Sequence, residues 1–211
     1  MINYEKNNKV ILKGKVCENP KFSHSVLGEG FYEFLLEVPR LSQENDKIPI
    51  TISERLMPED LSIGTDLCVS GQFRSYNKIE GERSRLMLTV FARELLDFVE
   101  EEFFNEILLC GFVCKEPIYR TTPFGREITD LLLAVNRAYN KSDYLPCIAW
   151  GRNAKFASDL QVGERIEIKG RIQSREYQKK LADNTTETRT AYEISVGSLL
   201  LPVCEEEVTY G

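Results

Sequence analysis

A single histidine, His24, is all the imidazole this sequence offers, and its six cysteines form no Cys-x-x-Cys pair. The nearest two, Cys110 and Cys114, sit in an apolar run where interior strand positions are the ordinary explanation. Zinc sites take four ligands at short spacings, so no metal or other cofactor is expected. His24 stands in a polar stretch as a solvated loop residue, and no nucleophile–histidine–acid set forms around it. The Gly-Glu-Gly at 28–30 is not followed by the Gly-Lys-Ser/Thr of a phosphate loop. Nothing supports an enzyme. No apolar run approaches the roughly 20 residues of a membrane span, and "MINYEKNNKV" lacks the apolar core of a secretion signal. A cytoplasmic protein without a membrane partner is therefore expected.

Basic charge is also scarce: 27 Lys and Arg against 33 Asp and Glu give a net charge of −6. Binding depends on local potential rather than on the total. Residues 103–204 hold 14 basic and 12 acidic side chains, while short acidic runs lie at 100–102 and 205–207. The second half of the chain is thus locally cationic.

What is present is a repeat. "NKVILKGKVCENP" at 8–20 returns as "NEILLCGFVCKEP" at 105–117. The same 97-residue offset carries Gly28 onto Gly125, "EFLLEVPR" onto "DLLLAVNR" and Pro49 onto Pro146. "LSIGTDLCVSGQFRS" then matches "LQVGERIEIKGRIQS" at an offset of 99. Two tandem copies of one domain follow, spanning 1–98 and 103–204, with the acidic stretch near 97–104 as junction.

Period-two alternation predicts strands at 107–114, 128–136, 144–150, 165–176 and 190–197 in the second copy. "RNAKFASDL" has the spacing of two helical turns, stopped by Gly163. Gly111 and Gly170 inside strands suggest bulges or bends at barrel corners. The fold class is all-β: two five-stranded OB-fold barrels, each with a short helix between strands 3 and 4. A five-stranded sandwich shares the same pattern.

The second copy resembles bacterial single-stranded DNA-binding proteins from Asn105 to Leu200, through "NEILLCGFVCKEPIYRTTPFG", "LLLAVNR", "CIAWGRNAKFA", "VGERIEIKGRIQSREY" and "AYEISV". The first copy looks like a more distant member. The resemblance implies an OB-fold that stacks bases on aromatic rings and tracks phosphates with cations. Tyr139, Tyr144, Trp150 and Tyr177 fall where the family's stacking aromatics fall. Arg137, Lys141, Arg152, Lys155, Arg171, Arg175, Lys179 and Lys180 interleave with them. In the first copy Ser42, Lys47, Ser53 and Lys78 occupy the four aromatic registers, so that copy is expected to have lost the stacking surface; Phe73 and Tyr76 lie at other registers.

Single-stranded DNA is the expected partner, in replication, recombination or repair. An adaptor for replication enzymes and a single-stranded RNA binder are alternatives on the same pattern. The family's long linker and acidic tip are not matched by "LPVCEEEVTYG", which leaves recruitment of replication enzymes by that route open. The second copy's first strand is apolar on both faces, with Leu108, Cys110 and Phe112 opposite the core-facing set. The family's preference for four OB-folds makes that face an expected interface between domains, in a homodimer.

Overall fold

Val10, Leu12 and Val16 alternate into a core while Lys9 and Lys15 face water, and this period-two pattern makes residues 8–16 a strand. The computed structural model describes residues 7–40, 42, 44–80, 83–98, 104–180 and 184–201. Part of the expected junction, the boundary residues 103 and 204, Cys204 and the acidic run at 205–207 lie outside the described residues.

Among the described residues twelve strands and one helix follow in order: β1 (Asn8–Val16), β2 (Lys21–Val26), β3 (Glu29–Pro39), β4 (Asn45–Ser53), β5 (Asp66–Glu80), β6 (Arg83–Leu96), β7 (Asn105–Val113), β8 (Ile118–Thr121), β9 (Glu127–Arg137), β10 (Lys141–Trp150), α1 (Arg152–Ser158), β11 (Arg165–Lys180) and β12 (Thr186–Leu200). In the first half β1 pairs with both β3 and β5, and β3–β4, β4–β6 and β6–β5 complete a ring. In the second half β7, β9, β10, β12 and β11 close in the same way. Each ring is a five-stranded barrel, which removes the open sandwich; β2 and β8 are added outside it, on β3 and β9.

The glycines act where the rings turn. Gly71 and Gly170 sit at register shifts in β5 and β11, and a Cβ on either would lie 2.3 Å from the carbonyl oxygen of Phe91 or Ser195. Gly111 lets β7 leave β11 for β9, its missing Cβ making room for the Ala134 carbonyl. One expectation is corrected. Only the second half has a helix between its third and fourth barrel strands. In the first, Met57 N–H reaches the Ser53 carbonyl for a single turn, and Pro58 follows, with no N–H to continue it.

The halves join through β1 and β7, which pair antiparallel from Asn8↔Leu109 to Leu12↔Asn105. The register is symmetric about Val10↔Ile107, residues that correspond in the repeat. A pseudo-two-fold axis therefore passes between them, and one sheet of twelve strands runs through both barrels. Each strand of the pair is clamped by its own amide. Asn8 bonds both the N–H and the carbonyl of Phe73, and Asn105 does the same for Ile172. Removing one amide strands a donor and an acceptor in a part-buried place. Asn105→Ala is expected to lower stability by about 1–3 kcal/mol, read as a shift of the urea midpoint at unchanged slope.

The axis also relates two buried carboxylates. Asp46 on β4 accepts hydrogen bonds from Arg40 Nε (2.7 Å) and from the backbone N–H of Ser174 (2.5 Å) in the other half, with Arg171 at 3.5 Å. Asp143 on β10 accepts from the Ser75 N–H at 2.7 Å, and Ser75 Oγ in turn accepts from the Tyr144 N–H at 2.8 Å. The barrels are thus pinned by an aspartate from each to a strand of the other.

Candidate nucleic-acid interface

The pleat of β10 sorts its residues. Leu145, Cys147 and Ala149 fill the barrel, and Tyr144, Pro146 and Trp150 point away from it. β12 runs parallel to β10 with Ile148 beside Ser195, so Glu193, Ala191 and Arg189 continue the outward face. Their partners on β11 are Gln173, Arg175 and Tyr177, with Arg171 and Lys179 at the two ends of that row. One outer face therefore carries Tyr144, Trp150 and Tyr177 together with Arg171, Arg175 and Lys179. Tyr144 is 45 % and Tyr177 38 % exposed, and Trp150 is half-buried.

Tyr139 lies off this face, at the β9–β10 turn, with its side chain 94 % exposed. Its φ is +60°, and that of Asn140 is +52°. Asparagine tolerates the left-handed region; for tyrosine it costs about 1 kcal/mol or more. A bulky aromatic held in water on a strained turn has no packing reason to be there.

The cations differ in how they are held. Arg152 and Lys155 are on the exposed side of α1, whose Ala154 and Ala157 are buried, and Lys155 meets Glu127 at 3.3 Å. Arg175 approaches Glu193 at 4.0 Å, and Lys179, Lys180 and Lys141 are exposed. Arg171 divides its guanidinium between Asp46 and Gln173. Arg137 is turned inward to Asp143, its Nε 3.4 Å from Oδ2. That site is incompletely bonded: the Nε atoms of Arg74 and Arg137 and Oδ2 of Asp143 lack hydrogen-bond partners. Burial raises the Asp143 carboxyl above its usual range, against the pull of the Ser75 N–H and the two arginines, and burial with the like charges of Arg137 and Arg93 lowers Arg74 to about 10.

Sequence reading did not single out the Asp46–Ser174 and Asp143–Ser75 pairs. Their signal was there, since both aspartates and both serines hold the repeat register. Nor did it single out Phe124, which stands 92 % exposed at the β8–β9 turn. Leu108 and Phe112 lie on the outside of the second barrel beside half-buried Cys110, whose sulfur accepts from Arg165 Nε at 3.1 Å. The first barrel covers the edge of β7 and leaves this face open. No helix among the described residues is long and apolar enough to cross a membrane.

The arrangement of both barrels is similar to that of the single-stranded DNA binding protein from Thermus aquaticus. A deletion variant of that protein matches with a TM-score of 0.73 over 96 % of this chain and 97 % of the other, at 20 % identity, a likeness of fold. Among curated relatives, a single-stranded DNA-binding protein of Clostridium tetani is 35 % identical over 83 residues, 36 % of this chain and 57 % of its own length. Single-stranded DNA-binding protein B of Bacillus subtilis is 33 % identical over 84 residues, 36 % of this chain and 74 % of its own. The chain spans about half the length of several others, including a Staphylococcus aureus relative at 50 %. The profile of the Single-strand binding protein family matches residues 104–201. By the stretch that carries the outward aromatic face, and by its likeness to the Bacillus protein, this chain belongs to the single-strand binding protein family.

Proposed function

We propose that the chain binds single-stranded DNA with little sequence preference and without chemistry, serving replication, recombination or repair, with residues 1–98 and 103–204 as its two barrel units. The observation that carries this reading is the shared outer face: Tyr144, Trp150 and Tyr177 interleaved with Arg171, Arg175 and Lys179. Every base of a single strand offers a π-face, and each aromatic contact contributes about 1–3 kcal/mol whatever the base. Tyr139 adds a ring at the turn, and Arg152 and Lys155 extend the cationic border; Arg137 contributes charge from its place beside Asp143. Two chains pair through the face of Leu108, Cys110 and Phe112, bringing four barrels together.

Trp150 is the only tryptophan, so its fluorescence reports one position. Titration with oligo(dT) is expected to quench it strongly. Tyr139→Ala and Tyr177→Ala are each expected to weaken binding by about 1–3 kcal/mol. Affinity should fall with salt at a log–log slope near −0.7 per neutralised phosphate. Unquenched fluorescence and a flat salt response would replace this reading with a protein adaptor, and preference for oligo(U) would make the ligand RNA.

A further inference from the structure

The first half lacks aromatics at all four registers of the second, yet its outer face is not without rings. Strand pairing shows where they went. In the second half Trp150 on β10 lies across from Ile128 on β9. The corresponding pair in the first half is Ser53 on β4 across from Phe31 on β3. The aromatic has crossed to the neighbouring strand and keeps its place on the outer face. A second exchange runs along one strand. Arg175 and Tyr177 on β11 point outward two residues apart, and the corresponding residues on β5 are Tyr76 and Lys78. Cation and ring have changed places on the same face. Tyr76 and Lys78 are exposed, and Phe31 is half-buried.

Around these two positions the face is built up further. Phe91 on β6 lies beside Thr51 of β4 and corresponds to Ser195 of the second half, so it is a ring that the second half lacks. Its centroid is 5.7 Å from that of Phe31, and His24 stacks on Phe31 at 5.1 Å with the rings 13° from parallel. The Arg74 guanidinium sits 4.2 Å above Phe91. The result is a bent column, His24–Phe31–Phe91–Arg74, in which Phe91 is tilted 37° to Phe31 and the His24 end is exposed. His24 and Phe31 are direct cross-strand partners on β2 and β3, which sets the two rings face to face, and the exposed imidazole leaves its outer side for a base to stack on.

The two outer faces also meet. Arg189, the cross-strand partner of Tyr177, lines a cavity of about 250 Å³ together with Tyr76 and Arg85 of the first half. Glu33 and Glu187 share the lining, and Arg189 pairs with Glu187 at 2.7 Å, so a strand passing from Tyr177 to Tyr76 across that cavity meets Arg85 and Arg189 beside two carboxylates. We infer that the first half carries its own single-stranded DNA surface, in which Phe31, Tyr76 and the exposed end of the His24 column replace the rings lost at Ser53 and Lys78, and that DNA bound to the second half continues onto it. This inference rests on the single-strand reading of the second half and departs from the expectation that the first half has lost its stacking surface.

The test compares a short and a long ligand on the full chain. A 10-mer of dT is accommodated by one barrel and a 35-mer engages both, given about 4–16 nucleotides per OB-fold. The double variant Phe31→Ala/Tyr76→Ala is expected to bind the 10-mer within about two-fold of wild type and the 35-mer at least about ten-fold more weakly. Restoring the second half's arrangement with Phe31→Ile/Ser53→Trp should return 35-mer affinity relative to Phe31→Ala. Ultraviolet cross-linking of a 5-bromodeoxyuridine 35-mer to the wild-type protein, which needs no variant to fold, is expected to label peptides containing His24, Phe31 or Tyr76. Wild-type 35-mer affinity in the double variant, or cross-links confined to the second half, would overturn the inference while leaving the second-half site intact. Loss of the single-strand reading itself would appear differently, as Tyr139→Ala and Tyr177→Ala without effect on either ligand.

Discussion

Asp46→Ala is expected to lower the free energy of unfolding by about 3–5 kcal/mol, because it leaves buried donors without their acceptor. The side chain is fully buried and accepts from Arg40, from the Ser174 backbone and from the Ser174 hydroxyl. Its partner across the pseudo-two-fold behaves differently. Asp143 is equally buried, but its Oδ2 has no hydrogen-bond partner and Arg137 stands off at 3.4 Å. Its carboxyl is therefore raised by burial. A raised folded-state carboxyl holds its proton where the unfolded chain has lost it, so this group makes stability fall as pH rises through that window. Above the window the loss is complete and constant. Asp143→Asn retains an acceptor for the Ser75 N–H and removes the titration, so it should gain stability relative to wild type as pH climbs from the ordinary aspartate range. Asp143→Ala should cost less than Asp46→Ala at neutral pH. Urea unfolding at a series of pH values measures all three; equal costs for the two alanine variants and a pH-independent difference for Asp143→Asn would show that the two seams are alike.

That asymmetry was hidden from the sequence, and so was the seam itself. Asp46 and Ser174 stand 128 residues apart, and their meeting depends on how β1 and β7 pair, a long-range event that no local pattern encodes. The barrels were legible because the repeat preserved their framework: Gly71 and Gly170 at the bulges, Gly111 at the corner, and apolar residues at every second position. The first-half helix was misjudged because the repeat suggested one, while Pro58 and a single turn decide otherwise. β2 and β8, and with them the strand position of His24 that the sequence suggests is a loop, escaped notice because all their residues are exposed, leaving no alternation to read. The outward face of the second half was legible through a family resemblance that places aromatics one position at a time. The same procedure finds no ring at those registers in the first half. Phe31 stands across from Ser53 on the adjacent strand, and Tyr76 lies two residues before Lys78. Comparing single positions sees only Ser53 and Lys78, whereas the sheet surface is two-dimensional and admits a ring from either neighbour.

If two chains pair as proposed, Phe112→Glu is expected to convert that dimer, of about twice the 24.3 kDa chain mass, into a monomer, with little loss of barrel stability. The two effects separate because of where Phe112 sits. Ile107, Leu109 and Val113 of β7 fill the barrel, while Leu108 and Phe112 are 45 % and 37 % exposed on its outside. Contact with the first half uses the edge of β7 and leaves that outer face uncovered. Cross-strand neighbours extend the face over the pseudo-two-fold axis, with Ile11 beside Glu106 and Lys9 beside Leu108. Around it lie the ion pairs Lys169–Glu106 and Lys15–Asp66. An apolar centre inside a charged border is the anatomy of an interface. The patch is lopsided, since Phe112 and Cys110 correspond to Lys15 and Lys13 of the first half. In the proposed dimer a second chain would meet it with its own Phe112 side or place Lys15 across from it. Glutamate at 112 puts a charge in the apolar centre in the first arrangement and finds a lysine in the second. Light scattering with Phe112→Glu and Phe112→Lys distinguishes them. Self-apposition predicts that both variants are monomers, and apposition to Lys15 predicts that only the lysine variant is. Wild type at 24.3 kDa under micromolar conditions would remove the dimer.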